Sequence, residues 1–507
     1  MERAYDVVVA GAGLAGLRAS IAAAEGGARV LLVSKSEPSG STSAAAWGGL
    51  SGAVGGTSVE DYVRTLEEKG EGLGEASLRR AMAEDTAFRL EELARFGVDI
   101  DSGRGHMLVN HPPFSLPVTS TLVAMLAYAK GLGVETAFGR AVTGLEMSSG
   151  RVAGAVVRGN GAREVVRTGA VVLAGGGFSG LMPHNDNQGR NLGDALAVAI
   201  VAGAKAVDLE FMSFMPTGLA DARYRQDSIY ARPIVLAGKG ATMDGTPIEP
   251  KQADEHFRRQ AKNVERDDER YDLVCDLSGV PAEMWDEDLA EPARTFFGDG
   301  PRPESVKLAP LAHYTMGGIA IDEHGRTEVA GLYAAGECTG GLFGADRPGG
   351  GGLSDCVVFG ARAGTAAARW SGEQRGGGSG GCAELKPVAA EASAQIAAEA
   401  GWAAWNFGGL YKHADGLKVA LAWLESVAAE LAAKPAAEDG SCEGAAALTA
   451  AWLHLRASLL REETRGNHRR LDFPEADAKL SGTSLRLGLE DCGTLAAAVR
   501  FDSQPRG

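Results

Sequence analysis

The sequence predicts an α/β fold followed by a helical C-terminal part, on three observations. Residues 5–34 read as strand, glycine turn, helix and second strand. Two later segments, VVLAGGGFSG (Val171–Gly180) and GLYAAGECTGG (Gly331–Gly341), are buried-type strands that also end in glycines. From about Pro387 to Arg461 the chain is rich in Ala, Leu and Glu with helical periodicity. The first two observations make the α/β part Rossmann-like.

The first element is the apolar strand YDVVVA (Tyr5–Ala10), which enters Gly11-Ala-Gly13-Leu-Ala-Gly16 and then an Ala-rich helix reaching about Glu25. Gly11 permits the turn, Gly13 lets backbone approach a pyrophosphate, and Gly16 lets helix and strand pack closely. The helix start, with Leu14 and Ala15, turns unpaired N–H groups and a positive dipole end toward phosphate. The second strand, ARVLLVS, ends in Ser34 and Lys35 where an acidic residue would hold a ribose hydroxyl, so hydroxyl and backbone contacts must serve instead.

Later segments extend the nucleotide site toward a flavin, which needs contacts along its ribityl chain and ring as well as its ADP half. Ala174, Gly175 and Gly176 offer a second backbone approach, and Glu337 is placed to accept ribityl or ribose hydroxyls. GADRPGGGGLSDCVVFGARAG (Gly344–Gly364) sets a glycine run at a helix start, with Gly350, Gly352 and Leu353 suited to the ring's carbonyl edge. FAD is therefore the expected cofactor.

Composition bounds the partners. The 507 residues carry a net charge of -16 with no dense Lys/Arg run, which argues against nucleic acid. The N-terminal apolar stretch is strand-sized and lacks the pattern of an export signal, so the reading is a cytoplasmic chain with no direct membrane insertion. Cys275, Cys338, Cys356, Cys382, Cys442 and Cys492 are widely spaced, which predicts reduced thiols and no metal site, and puts any iron–sulfur cluster on a separate polypeptide.

With GAGLAG, HYTMGGIAI (His313–Ile321), GECTGG, GADRPGG and REETRGNHRRLDFPEAD (Arg461–Asp477) in this order, the chain resembles the succinate dehydrogenase and fumarate reductase flavoprotein family, which includes aspartate oxidase. The resemblance implies an FAD-binding domain at 1–206 and 314–372, an inserted α+β capping domain at 207–313, and a C-terminal helical domain at 382–507. It adds Ser41, Thr42, Gly48, Gly49 and Asp194 to the expected FAD contacts. It also makes His313 and Arg347 ligands of a substrate carboxylate, Arg347 serving both substrate and flavin. A core histidine and a structural ion pair remain the alternatives for these two.

Departures from the family pattern are equally informative. The segment Phe214-Met215-Pro216-Thr217-Gly218 has methionine where respiratory members have a carboxylate-binding histidine. RPIVLAGKGA (Arg232–Ala241) lacks the family's polar groups and offers Lys239. The proton-shuttling arginine has only loose candidates, Arg258 and Arg259, in a charged run that also reads as a solvated helix. SGSTSAAAWGGLSG (Ser39–Gly52) contains no histidine for a covalent flavin bond, so FAD is expected to be non-covalent.

The leading expectation is a dehydrogenase or reductase acting on a C–C bond next to a carboxylate or thioester, with a possible separate iron–sulfur protein as electron partner. An amino-acid oxidase resembling aspartate oxidase, and a flavin electron-transfer subunit with a decayed substrate site, are the alternatives. Arg465, His468, Arg469 and Arg470 read either as a docking face or as a salt-bridge cluster.

Overall fold

Nine strands form the main sheet: β1 (Ala4–Ala10), β2 (Val30–Ser34), β3 (Glu135–Phe138), β4 (Ala141–Ser148), β5 (Arg151–Gly159), β6 (Ala162–Leu173), β7 (Leu332–Ala334), β8 (Gly381–Leu385) and β9 (Arg500–Ser503). These come from a computed structural model that describes residues 4–46, 49–98, 100–103, 106–109, 119–187, 190–219, 241–243, 246–247, 273–287, 300–373 and 380–503, with positions 290, 294 and 297. The order is β9-β8-β4-β5-β6-β1-β2-β3, with β7 also on β6. Pairing is parallel across β3, β2, β1, β6 and β7, and antiparallel from β6 through β5, β4 and β8 to β9.

β6 explains this mixture. Its first half pairs with β5, while its second half lies between β1 and β7. Val7, Val8 and Val9 of β1 are fully buried, as befits a strand covered on both faces. One cover is helix α1 (Leu14–Glu25), whose residues 14–23 are all buried. The others that matter for the site are α2 (Asp194–Val201) and α3 (Gly351–Glu373), which packs along α1.

A separate five-stranded sheet contains Met212–Leu219 against Ser305–Thr315, then Leu273–Asp276, Ala241–Met243 and Thr246–Pro247. Helices α4 (Ala390–Gly408), α5 (Ala414–Ala433) and α6 (Glu443–Leu460) bear out the helical periodicity of the C-terminal part. That part also supplies β8 and β9 to the main sheet, two short strands whose pairing partners lie far away in sequence.

All six cysteines are buried thiols. Among the described residues no helix is long and apolar enough to cross a membrane. The basic cluster near the C-terminus is structural. Arg465, His468 and Arg470 are buried, and Arg461 and Arg465 share Glu463 while Arg470 pairs with Asp472.

Candidate active site

Parallel strands leave a crevice beyond their carboxyl ends, and β1, β2, β6 and β7 all end at a cavity of about 390 Å³. Each glycine of the first turn has its own reason. Gly11 has φ +112°, and a Cβ there would meet Ala174 O at 2.2 Å. At Gly16 a Cβ would meet Gly11 O at 1.8 Å, so helix and turn touch. Gly13 differs: its nearest neighbour is Ser43 Oγ at 3.2 Å, and its open side lines the cavity. No side chain caps α1, although Leu14 N–H donates to Ser43 Oγ at 3.2 Å.

Among the residues expected from sequence, Gly11, Gly13, Leu14, Ala15, Ser34, Lys35, Ser41, Thr42 and Gly49 line this cavity. So do Ala174, Gly175, Gly176, Asp194, Glu337, Gly350, Gly352 and Leu353, together with His313 and Arg347. Gly16 packs beneath it. Gly48, the Arg232–Gly240 stretch with Lys239, and both Arg258 and Arg259 fall outside the described residues.

Lys35 and Asp194 are bound to each other. Lys35 Nζ lies 2.8 Å from Asp194 and 2.8 Å from Glu443, the first residue of α6. Burial opposes the ammonium charge, but the two carboxylates outweigh it and hold its pKa above the usual lysine value. Nearby, Asn191 Nδ2 donates to Thr42 Oγ1 at 3.0 Å, and Thr42 Oγ1 donates to Asn187 Oδ1 at 3.2 Å.

His313 lies where the two long strands of the five-stranded sheet change register. Met212 pairs with Thr315 and Ser213 with Tyr314, but Phe214 pairs with Ala312. His313 is thus the extra residue of a bulge, a device that re-aims a side chain. Its carbonyl accepts from Asn187 Nδ2 at 2.8 Å and Ser179 Oγ at 3.3 Å. Ala312 exchanges backbone bonds with His184 and Asp186, which fixes the 184–187 segment against the bulge. Asp186 Oδ2 then stands 2.7 Å from His313 Nδ1, and Arg347 Nη2 lies 2.9 Å from Nε2.

Arg347 stacks on Tyr314, its Cζ 4.1 Å from the ring centroid. Its Nε is buried without a partner, and among the described residues no carboxylate pairs with it. Glu337 is held by Thr315 N–H at 3.2 Å, while burial pushes its pKa up. Burial, and then Glu337, push Asp355 up to about 7. Met215 pairs with Leu311, two residues from His313.

A family model described as FAD binding domain matches residues 6–353. L-aspartate oxidase of Caulobacter vibrioides is 32% identical over 498 residues, covering 93% of this chain and 94% of that protein. One subunit of the fumarate reductase (CoM/CoB) of Methanothermobacter marburgensis is 30% identical, covering 93% and 94%. The chain belongs to the succinate dehydrogenase and fumarate reductase flavoprotein family. This flavoprotein is an FAD-dependent oxidoreductase. Its fold is that of Mycobacterium smegmatis Sdh1 in complex with UQ1, with a TM-score of 0.82 at 24% identity, covering 100% of this chain and 95% of Sdh1.

The flavoprotein's cavity fits FAD on observations of its own. Gly13 leaves room for a phosphate, and at Gly349 a Cβ would meet nothing within 4 Å. Arg140 lines the wall beside Ser34. Its Nη1 pairs with Glu164 at 2.6 Å, but Nε and Nη2 are buried without partners. Sequence reasoning missed Arg140 and Asp186. Arg140 is a single basic residue after a short strand, and Asp186 meets His313 across 127 positions, so neither leaves a local pattern.

Proposed function

We propose that the chain is an FAD-dependent dehydrogenase or reductase acting on a C–C bond next to a carboxylate or thioester carbonyl, with FAD held non-covalently. The observation that carries this reading is Arg347, set beside His313 on the cavity wall with its Nε buried and unpartnered. A half-buried guanidinium with a spare buried donor is matched by a carboxylate, and Tyr314 holds its plane.

Gly11, Gly13 and the start of α1 would hold the pyrophosphate, with Gly175 and Gly176 opposite. Ser34 and Arg140 would hold the adenosine end, and Glu337 and the Gly349–Leu353 segment the ribityl and ring portions. When bound, FAD supplies a hydride acceptor or donor. Arg347 binds and orients the substrate carboxylate, His313 presents Nε2 to the same group, and the protein walls exclude water. Methionine at position 215 favours a substrate whose second end is apolar or thioester-like. Non-covalent binding rests on Ser39–Gly52, which contains no histidine.

A separate iron–sulfur protein is the electron partner in this reading, since the thiols here are scattered and one relative is named as a subunit. The compartment is cytoplasmic. A second reading, an oxidase returning electrons to oxygen, is favoured by the 32% identity to L-aspartate oxidase. The intact Arg347–His313 pair speaks against a decayed site.

The test is the absorbance spectrum of the purified protein before and after acid precipitation, followed by anaerobic titration with carboxylates and thioesters. FAD in the supernatant, bleached by one such compound, is the expected result. Flavin retained in the pellet would overturn the non-covalent reading, bleaching by none would overturn the dehydrogenase reading, and peroxide release in air would favour the oxidase.

A further inference from the structure

The hydrogen bonds around His313 permit one arrangement of protons. Arginine N–H groups only donate, so with Arg347 Nη2 at 2.9 Å, Nε2 must be the acceptor. Nδ1 then carries the proton and donates it to Asp186 Oδ2 at 2.7 Å. Asp186 is itself nearly sealed from solvent, its side chain 3% exposed. Before a ligand arrives, the charges of Asp186 and Arg347 cancel around a neutral imidazole.

A carboxylate arriving at Arg347 upsets this arrangement. It takes the arginine's donors and brings its own lone pairs up to the lone pair of Nε2, so two acceptors face each other. Among the described groups bonded in line with the imidazole, it also leaves two negative charges and one positive. His184, on the 184–187 segment, packs its ring against Trp405, and two acids lie close by, Glu337, which burial pushes up, and Asp355 behind Tyr314, at about 7. Neither can supply a positive charge. One proton on Nε2 resolves both problems, because the imidazolium donates to a carboxylate from each nitrogen and the two cations then match the two anions.

We propose that Asp186 is a positioning residue that makes His313 take up one proton from solvent, on Nε2, whenever a substrate carboxylate binds Arg347. The inference rests on the carboxylate reading of Arg347. It gives Asp186 two tasks: its bond to Nδ1 fixes the tautomer beforehand, and its charge stabilises the imidazolium afterwards. The 184–187 segment, bonded to the bulge through Ala312 and the His313 carbonyl, keeps the carboxylate in place for both.

The experiment uses the FAD-loaded protein with malonate as the probe. Malonate affinity is read from the flavin absorbance between about pH 6 and 9, bracketing the ordinary imidazole range, and the tautomer from the nitrogen-15 resonances of His313, assigned by their loss in His313→Gln. In the unliganded wild type, Nδ1 is expected to be protonated and Nε2 bare, with both protonated once malonate is bound. Where the free imidazole is neutral, the malonate Kd should rise about tenfold per pH unit, the signature of one proton taken up.

In Asp186→Asn the dependence should drop to about threefold per unit or less, which a merely structural role for Asp186 would not cause. A bare Nδ1 in the unliganded wild type would overturn the proposal even if the variant failed to fold. Malonate binding with a pH-independent Kd, or a full slope retained in Asp186→Asn, would overturn it alone. No binding at any pH of malonate, nor of the monocarboxylate butyrate in its place, would overturn it together with the carboxylate reading.

Discussion

Arginines at two places in this molecule show how a structural cation differs from a ligand-binding one. Between the main sheet and the C-terminal segment, Arg461 donates to Glu210, Glu463 and the Thr483 carbonyl. Arg465 donates to Glu463 and to the Glu71 and Asp477 carbonyls. Arg470 donates to Asp472 and three carbonyls. None has a buried nitrogen left over. Arg347 has an imidazole nitrogen and an aromatic face, but Nε goes unanswered and no carboxylate pairs with it among the described residues. An unanswered nitrogen alone does not distinguish the groups, since buried Arg18 also keeps Nε and Nη1 unpartnered; the carboxylate partner does, because Arg18 pairs with Glu92 and half-buried Arg347 pairs with none among the described residues.

The largest effect should come from breaking the satisfied group. Arg461→Met strands the fully buried Glu210 without its cation and leaves the fully buried Glu463 to Arg465 alone. It should cost about 3–5 kcal/mol of stability in thermal or denaturant unfolding. A loss below about 1 kcal/mol would mean that the network's pairs are not coupled as their geometry indicates.

Arg347→Met should do the reverse. Stability should change less than in Arg461→Met, because Asp186 loses its counter-charge but keeps its hydrogen bond to His313, while the malonate Kd rises on the order of 100-fold, the worth of charged hydrogen bonds. A loss of stability matching that of Arg461→Met would place Arg347 among the structural cations.

The smallest effect has the opposite sign. Asp208 sits at φ 60° beside Glu210, and burial, then Glu210, push it up to about 7 from 3.8. The folded chain therefore holds a proton that the unfolded chain releases. This contribution is fully present below about pH 4 and is lost as pH rises through about 7. Asp208→Asn suits the left-handed backbone and should remove that loss, raising stability on the order of 2 kcal/mol at pH 8. Equal pH slopes for wild type and variant would show that Asp208 ionises freely.

What the sequence disclosed follows the range of the interactions involved. The turn through Gly11, Gly13 and Gly16 is local geometry, and strand, turn and helix follow one another without a break, so it could be read directly. His313 and Arg347 were reached only through the family resemblance, because the bulge that aims the imidazole depends on register between strands about a hundred residues apart. The Arg465–Arg470 cluster shows the limit most clearly. Its residue types suit a docking face and a buried ion network alike, and only the long-range contacts with Glu463 and the neighbouring carbonyls decide between them.

The bridge from Lys35 to Glu443 sets an order of events during synthesis. The nucleotide turn emerges from the ribosome early, yet one of the two anions that neutralise Lys35 opens α6, some four hundred residues later. Until that helix docks, Lys35 and Arg190 face Asp194 alone, so the floor of the nucleotide site carries one excess positive charge. The final electrostatic form of the site is thus a property of the nearly finished chain. FAD capture and closure of the C-terminal helices onto the sheet become thermodynamically linked.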